Sequence, residues 1–368
     1  MSELDERISR PTRRRHRVSR PSPQSDASTS PRPTEESAPT AASSADAVWS
    51  PDVLGPGFES REIPLPRDFD GELIATLVRR RADVPSRRAV LYLHGFCDYF
   101  FQTELADFFG AAGVNFYALD LRRYGRSLRP HQMPNYVADL RDYFVELDAA
   151  TRIIRQEDGN DQSLLLMAHS TGGLIGSLWA HRLRDLNILD GVVLNSPWFD
   201  LAGAWWLRTI GTYVIDVLGR YRPYTVIPRS LGWYGRSLHR AYGGEWDFDP
   251  SWKPVVDGFP IRAGWLRAIR IAHHVLQRGL DIRCPVLVMC STRSVLTSEW
   301  SEDIRRADAV LDVEQIARWS PQLGRHVTVV RIPDGIHDLV LSPRPVRERV
   351  YDELRQWLTA YTPVFSTT

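Results

Sequence analysis

The chain has 368 residues, of which 43% are hydrophobic and 25% charged, the balance of an ordinary globular protein with room for one large domain or two small ones. A formal net charge of +1 excludes a protein built to hold nucleic acid by bulk electrostatics. Three cysteines, Cys97, Cys284 and Cys290, are too few for a disulfide framework and fit a reducing, cytoplasmic setting.

In chain order, residues 1–45 are Ser, Pro, Ala, Thr and Arg with almost no aromatics, and too little apolar surface to offset ordering entropy predicts a disordered tail. Its "RRRHR" run, Arg13 to Arg17, reads as solvated charge. The tail has no apolar core of a secretory signal, and no later stretch approaches the roughly 18 apolar residues of a membrane span. Peripheral membrane contact is the most that is expected of a bilayer.

From residue 46 to 368 the text is globular. Glu72 to Arg80 alternates like a strand. Ala89 to Gly95, Asn115 to Leu121, Leu164 to His169, Gly191 to Ser196, Pro285 to Cys290 and Val327 to Ile332 are short apolar runs. Runs of that kind suit strands buried on both faces, as in a parallel sheet. Helical patterns fall at Thr103 to Ala112, Tyr136 to Gln156, Gly172 to Asp185 and Pro345 to Tyr361. Strand–helix alternation predicts an α/β protein with a doubly wound, mostly parallel sheet. Between about Phe199 and Gly279 the alternation stops, and six of the twelve tryptophans gather there. That segment is predicted to be a helical cap. It contains Lys253, the only lysine, part of a bias toward arginine to which the sequence attaches no function.

The chemistry starts at "MAHSTGG", Met167 to Gly173. A strand delivers Ser170 to a tight turn, and small residues open a helix at once. Such an elbow lifts a serine hydroxyl above the sheet edge as a nucleophile, and small neighbours let strand and helix approach. Ala168 stands where the usual Gly-x-Ser-x-Gly pattern has its first glycine. An isolated match is also met by a plain helix-capping serine. "LYLHGFCDYF", Leu91 to Phe100, ends a strand in His-Gly and a bulky residue, the place for an oxyanion-binding turn. The backbone N–H groups of Phe96 and Thr171 are the expected donors. His94 then orients the loop and is not the base; with Trp205 and Trp206 it is also carried as a candidate contact to substrate. The base is expected after the last strand, at His337 in "RIPDGIHDLVLS". His131, His181, His273 and His274 fit worse. The orienting acid should follow the strand ending at Cys290, where Glu299, Glu302, Asp303, Asp308, Asp312 and Glu314 all stand, and spacing does not choose among them.

Serine, acid and histidine in that order, with an insertion before the acid, resemble the α/β-hydrolase superfamily. The likeness is to its monoacylglycerol-lipase and lysophospholipase-like branch, also described as serine aminopeptidase S33-like. It covers about Ser60 to Leu358 and rests on His94-Gly95-Phe96, Asp120 with "RRYGRS" (Arg122 to Ser127), "AHSTGG" (Ala168 to Gly173), "NSPWFDL" (Asn195 to Leu201), "ADAVLD" (Ala307 to Asp312) and "GIHD" (Gly335 to Asp338). The resemblance implies Asp308 as the acid, with Asp303 as runner-up because the stretch after Cys290 is long for the family. It implies a serine hydrolase of carboxylic esters working through Ser170, Asp308 and His337. The expected partner is a small apolar acyl ester, with no nucleic acid, no metal and no cofactor. The alternatives are an amide or peptide hydrolase or an acyltransferase on the same triad, and a catalytically silent binding protein of the same fold.

Overall fold

The computed structural model describes residues 48–159, 162–201, 215–228 and 232–362. The tail expected at residues 1–45, and Trp205 and Trp206, lie outside the described residues. Among the described residues, nine strands form one sheet in the order β1-β2-β3-β5-β4-β6-β7-β10-β11. The strands are β1 (Ser50–Pro51), β2 (Phe58–Asp68), β3 (Gly71–Arg80), β4 (Arg88–Leu93), β5 (Asn115–Asp120), β6 (Ser163–His169), β7 (Gly191–Asn195), β10 (Val286–Ser291) and β11 (Val327–Ile332). The first three and the β3–β5 pair are antiparallel; every pairing from β5 to β11 is parallel.

The apolar runs are continuous because both faces of the parallel strands are covered. On one face Leu91, Leu166, Val192 and Val288 pack with helices α2 (Phe144–Asp158), α3 (Thr171–Arg182) and α5 (Ala263–Gln277). Their neighbours Tyr92, Met167, Val193 and Leu287 point the other way, to α1 (Thr103–Ala111) and the last helix α7 (Arg344–Tyr361). Parallel strands need crossovers, and α1, α2, α3 and α5 lie on them, whereas α7 follows the last strand. The helix expected from Tyr136 starts later: residues 140–143 form a 3-10 turn, and α2 begins at Phe144.

The two N-terminal strands are absent from the sequence reading. β2 reads "FESREIPLPRD", with two prolines and five charges. β1 covers only Ser60 and Glu59, so Pro64 and Pro66 stand on an open edge where a missing N–H costs no ladder bond. Among the described residues of the segment expected as a cap are a helix at residues 215–221, the short α4 (Tyr234–Leu238), all of α5, and a two-stranded ribbon of β8 (Val226–Ile227) and β9 (Ile261–Arg262). Helix α6 (Val313–Trp319) follows β10.

Asp120, at the end of β5, ties this scaffold to the loop after β4. Its carboxylate accepts from the Phe100 N–H at 3.0 Å and pairs with Arg126 at 2.8 Å. Arg126 also pairs with Asp52 at 2.8 Å, and all three side chains are buried. Burial alone would raise the Asp52 carboxyl, but the Arg126 guanidinium holds it below its ordinary value. Arg126→Met would leave two buried carboxylates without a cation. It is expected to cost about 3–5 kcal/mol, read as a lower urea midpoint.

Candidate active site

Strand β6 stops at His169 and α3 starts at Thr171, so Ser170 alone makes the turn. Its backbone has φ 52° and ψ −118°, a strained conformation for a residue with a side chain. The turn is fixed on all sides: the Ser170 N–H donates to Asn195 O at 3.0 Å, and its carbonyl accepts from Gly173 at 2.9 Å and Trp198 at 3.0 Å. A Cβ on Gly172 would stand 2.3 Å from the His94 carbonyl, so only glycine lets α3 approach β4. Ala168 is accommodated as a fully buried β6 residue facing Gly176, the small partner lying in the helix instead.

His337 follows β11 and places Nε2 3.0 Å from Ser170 Oγ. Its Nδ1 lies 2.9 Å from Asp308 Oδ2. A carboxylate only accepts, so Nδ1 carries the proton and Nε2 is left as acceptor for the serine hydroxyl. The other Asp308 oxygen accepts from the Val310 and Leu311 N–H groups, each at 2.8 Å. Three donors thus meet the charge of a carboxylate with no solvent exposure.

The long stretch between β10 and Asp308 closes on itself. The Asp308 N–H donates to Arg293 O at 3.0 Å, and its carbonyl accepts from Val295 at 2.8 Å. Residues 296–307 are therefore an excursion whose two ends meet, and the chain returns beside the point where it left. Asp303 stands out on that excursion, exposed and paired with Arg293 at 2.8 Å. It makes no contact with His337.

Phe96 and Thr171 both line the cleft above Ser170, and among the described residues neither N–H has an acceptor. A Cβ on Gly95 would lie 3.0 Å from the Ser170 Cβ, so glycine keeps this approach open. His94 does not line the cleft. Its Nδ1 donates to Gly95 O at 2.8 Å and its Nε2 accepts from the Leu121 N–H at 3.1 Å, committing both ring nitrogens to backbone. It ties the loop after β4 to the end of β5 and stands behind the cleft wall, not in it. Three of the other histidines are likewise occupied by the fold: His131 with Asp70 O, His181 with the Asp281 N–H, and His273 with Trp198 O. Burial pushes His273 down to about 3, far from the range of a working base. Cys97 is buried and pushed up to about 11, which keeps it a thiol.

The cleft encloses ≈ 90 Å³ and presents Trp198, Val255 and Leu311 beside the serine. Several of its residues went unread in the sequence. Tyr234 stands edge-on to the His337 ring at 5.5 Å, and its hydroxyl accepts from the Asp338 N–H at 2.9 Å. Asp98 and Lys253 also line it. The usable signals were an acid inside the aromatic run "FCDYFF" and a single lysine in an arginine-rich chain. Asp98, His169 and Asp338 bring potential ligand atoms within 4.8 Å of one another, all buried. A cation already serves this group: Lys253 Nζ is 2.7 Å from Asp98 Oδ1. Asp338 accepts from the Gln102 and Asn195 amides at 3.0 and 2.7 Å. The donor set therefore does not call for a metal.

A family model described as serine aminopeptidase, S33 matches residues 84–342. Among solved structures, the chain is similar to a soluble variant of monoglyceride lipase from Saccharomyces cerevisiae in complex with a substrate analogue. The identity is 17% and the TM-score 0.59, over 82% of this chain and 96% of that one. It is similar to monoacylglycerol lipase from Paleococcus ferrophilus at 19% identity and TM-score 0.55, over 77% and 99%. A ferulic acid complex of a Butyrivibrio proteoclasticus protein gives 16% identity and TM-score 0.51, over 82% and 99%. At these identities the likeness concerns the fold. No curated protein sequence matches the chain. No helix among the described residues is long and apolar enough to cross a membrane.

Proposed function

The chain belongs to the serine aminopeptidase S33 family of α/β-hydrolases, and from that premise we propose that it cleaves carboxylic esters with apolar acyl groups. One observation carries the reading: Asp308, His337 and Ser170 are joined by hydrogen bonds of 2.9 and 3.0 Å at the floor of a partly apolar cleft. His337 Nε2 takes the hydroxyl proton as Ser170 Oγ attacks the ester carbonyl. Asp308 holds the imidazole tautomer and stabilises the imidazolium. The Phe96 and Thr171 amides receive the oxyanion. The imidazolium then protonates the departing alkoxide, and water, activated by the same histidine, releases the acid. The test is labelling of Ser170 by a fluorophosphonate together with turnover of p-nitrophenyl esters. Neither signal from folded protein would end the proposal.

The acyl group is assigned to the wall formed by Trp198, Val255 and Leu311. Each methylene buried there contributes about 0.8 kcal/mol, or roughly fourfold in kcat/KM. Activity is expected to rise from acetate to butyrate and then level off as the narrow cleft fills. Trp198→Ala should flatten that rise more than it lowers acetate hydrolysis. A profile best for acetate would move the substrate class to small polar esters.

The family description supports a second reading, release of an N-terminal amino acid. That reaction needs a free carboxylate for the substrate ammonium. Of the two acids that line the cleft among the described residues, Asp98 is already paired with Lys253 and Asp257 is exposed, so this reading ranks behind the ester. Aminoacyl p-nitroanilides tested beside the esters decide between them.

A further inference from the structure

Of 46 Lys and Arg residues only Lys253 is lysine, and it lines the cleft of Ser170. Its ammonium contacts Asp98 Oδ1 at 2.7 Å, with the two side chains 11% and 2% exposed. Asp98 belongs to the loop that leaves β4 and carries Phe96. Cys97, between them, has φ 55°, a left-handed conformation that a non-glycine residue keeps only where its surroundings impose it. The impositions come largely from residues 249–259. The Phe259 N–H donates to Cys97 Sγ at 3.3 Å, and the Asp249 N–H donates to the Tyr99 hydroxyl at 2.8 Å. Asp98 spans the turn itself: one oxygen takes the Lys253 ammonium and the other faces the Gly95 N–H at 3.5 Å.

We propose that Lys253 is a positioning residue of the oxyanion site: it neutralises and anchors Asp98, and Asp98 holds the turn that aims the Phe96 N–H into the cleft. The inference rests on the ester-hydrolase reading above. The groups around Asp98 leave the charge balance to this lysine. His94 and His169 face it from the ends of β4 and β6, Asp338 from the loop after β11, the hydroxyls of Tyr92 and Tyr234 from β4 and α4, and Cys97 from its own loop. Burial holds both histidines below their ordinary range, so neither is a standing cation, and Asp338 adds a second acid. Burial pushes the Asp98 carboxyl up, yet Lys253 foremost among its neighbours keeps it below its ordinary value. A compact ammonium also suits the place, lying 5.6 and 5.7 Å from the ring centres of Phe101 and Phe248, where a planar guanidinium needs more room.

Without the lysine, Asp98 becomes a buried carboxylate with no cation, beside the atoms that must receive negative charge. Its pKa rises. Below the raised pKa it is neutral and the site works; above it the anion opposes the oxyanion and loosens the turn. The test is the rate of Ser170 phosphonylation by a fluorophosphonate, with kcat and KM for p-nitrophenyl butyrate, between pH 5.5 and 9. At pH 8, K253M is expected to lose about 10- to 100-fold in both rates with KM changed less than about threefold, since the loop acts on the transition state. The loss should shrink as pH falls. K253M/D98N should recover most of it, because an amide still accepts from the Gly95 N–H and carries no charge. Wild-type rates in K253M, or a double variant as slow as K253M, would overturn the proposal. Wild-type protein that is not phosphonylated at all would remove the hydrolase reading, and this inference with it. If K253M does not fold, the native chain decides. Acetylation by an N-hydroxysuccinimide ester, located by mass spectrometry, reads the single ε-amine. It should react at least about tenfold more slowly than Nα-acetyl-lysine amide, because its amine is largely buried and engaged by Asp98. Reaction at the rate of the free amine would overturn the ion pair.

Discussion

Ser170→Ala is expected to lower ester turnover by about 10⁴- to 10⁶-fold while leaving the fold intact. The hydroxyl is the only atom lost, and its partner in the structure is His337 Nε2. The backbone bonds that make the elbow, from Asn195, Gly173 and Trp198, do not involve the side chain. Alanine keeps the Cβ, so the strain at φ 52° is unchanged. Loss of attack at the carbonyl leaves only the oxyanion donors and substrate binding, which account for the residual rate in enzymes of this type. Turnover under substrate excess and a thermal melt of the same preparation check both halves. Turnover at the wild-type level with an unchanged melt would show that Ser170 is not the nucleophile.

The second large effect is expected at Asp308→Asn, about 10⁴-fold in kcat. The Val310 and Leu311 N–H groups, at 2.8 Å, dictate that the amide oxygen takes the Oδ1 position. The amide nitrogen then faces His337 Nδ1 with hydrogens where a lone pair was. Nδ1 must accept, the proton moves to Nε2, and the histidine presents a donor to Ser170 in place of a base. Asp303→Asn, by contrast, alters an exposed pair with Arg293 and should stay within about twofold of wild type. The two variants assayed side by side from pH 6 to 9 separate these cases. A dead Asp303→Asn with an active Asp308→Asn would overturn the assignment of the acid.

The parallel half of the sheet was legible because burial on both faces writes continuous apolar runs, as in Leu164 to Met167. The antiparallel edge was not: β2 carries charges and prolines that its open side tolerates, so its text resembles a loop. Ser170 was legible because an elbow imposes small residues at Gly172 and Gly173, where any Cβ would meet backbone or Pro197. His337 was legible from its place after the last strand.

By itself the sequence determined an α/β-hydrolase fold, a serine on an elbow, a histidine at the same sheet edge and a family likeness that pointed to Asp308. Local backbone constraints and two-sided burial act over a few residues, and they leave marks at fixed spacings. What only the tertiary structure decided is how distant segments meet. The excursion at residues 296–307 closes at its neck, so Asp308 reaches His337 while Asp303 stays in solvent. Lys253 crosses 155 residues of sequence to meet Asp98 in the loop that carries Phe96. His94 spends both nitrogens on backbone. A charge buried in the fold must find its partner wherever packing allows, and no spacing along the chain records that choice.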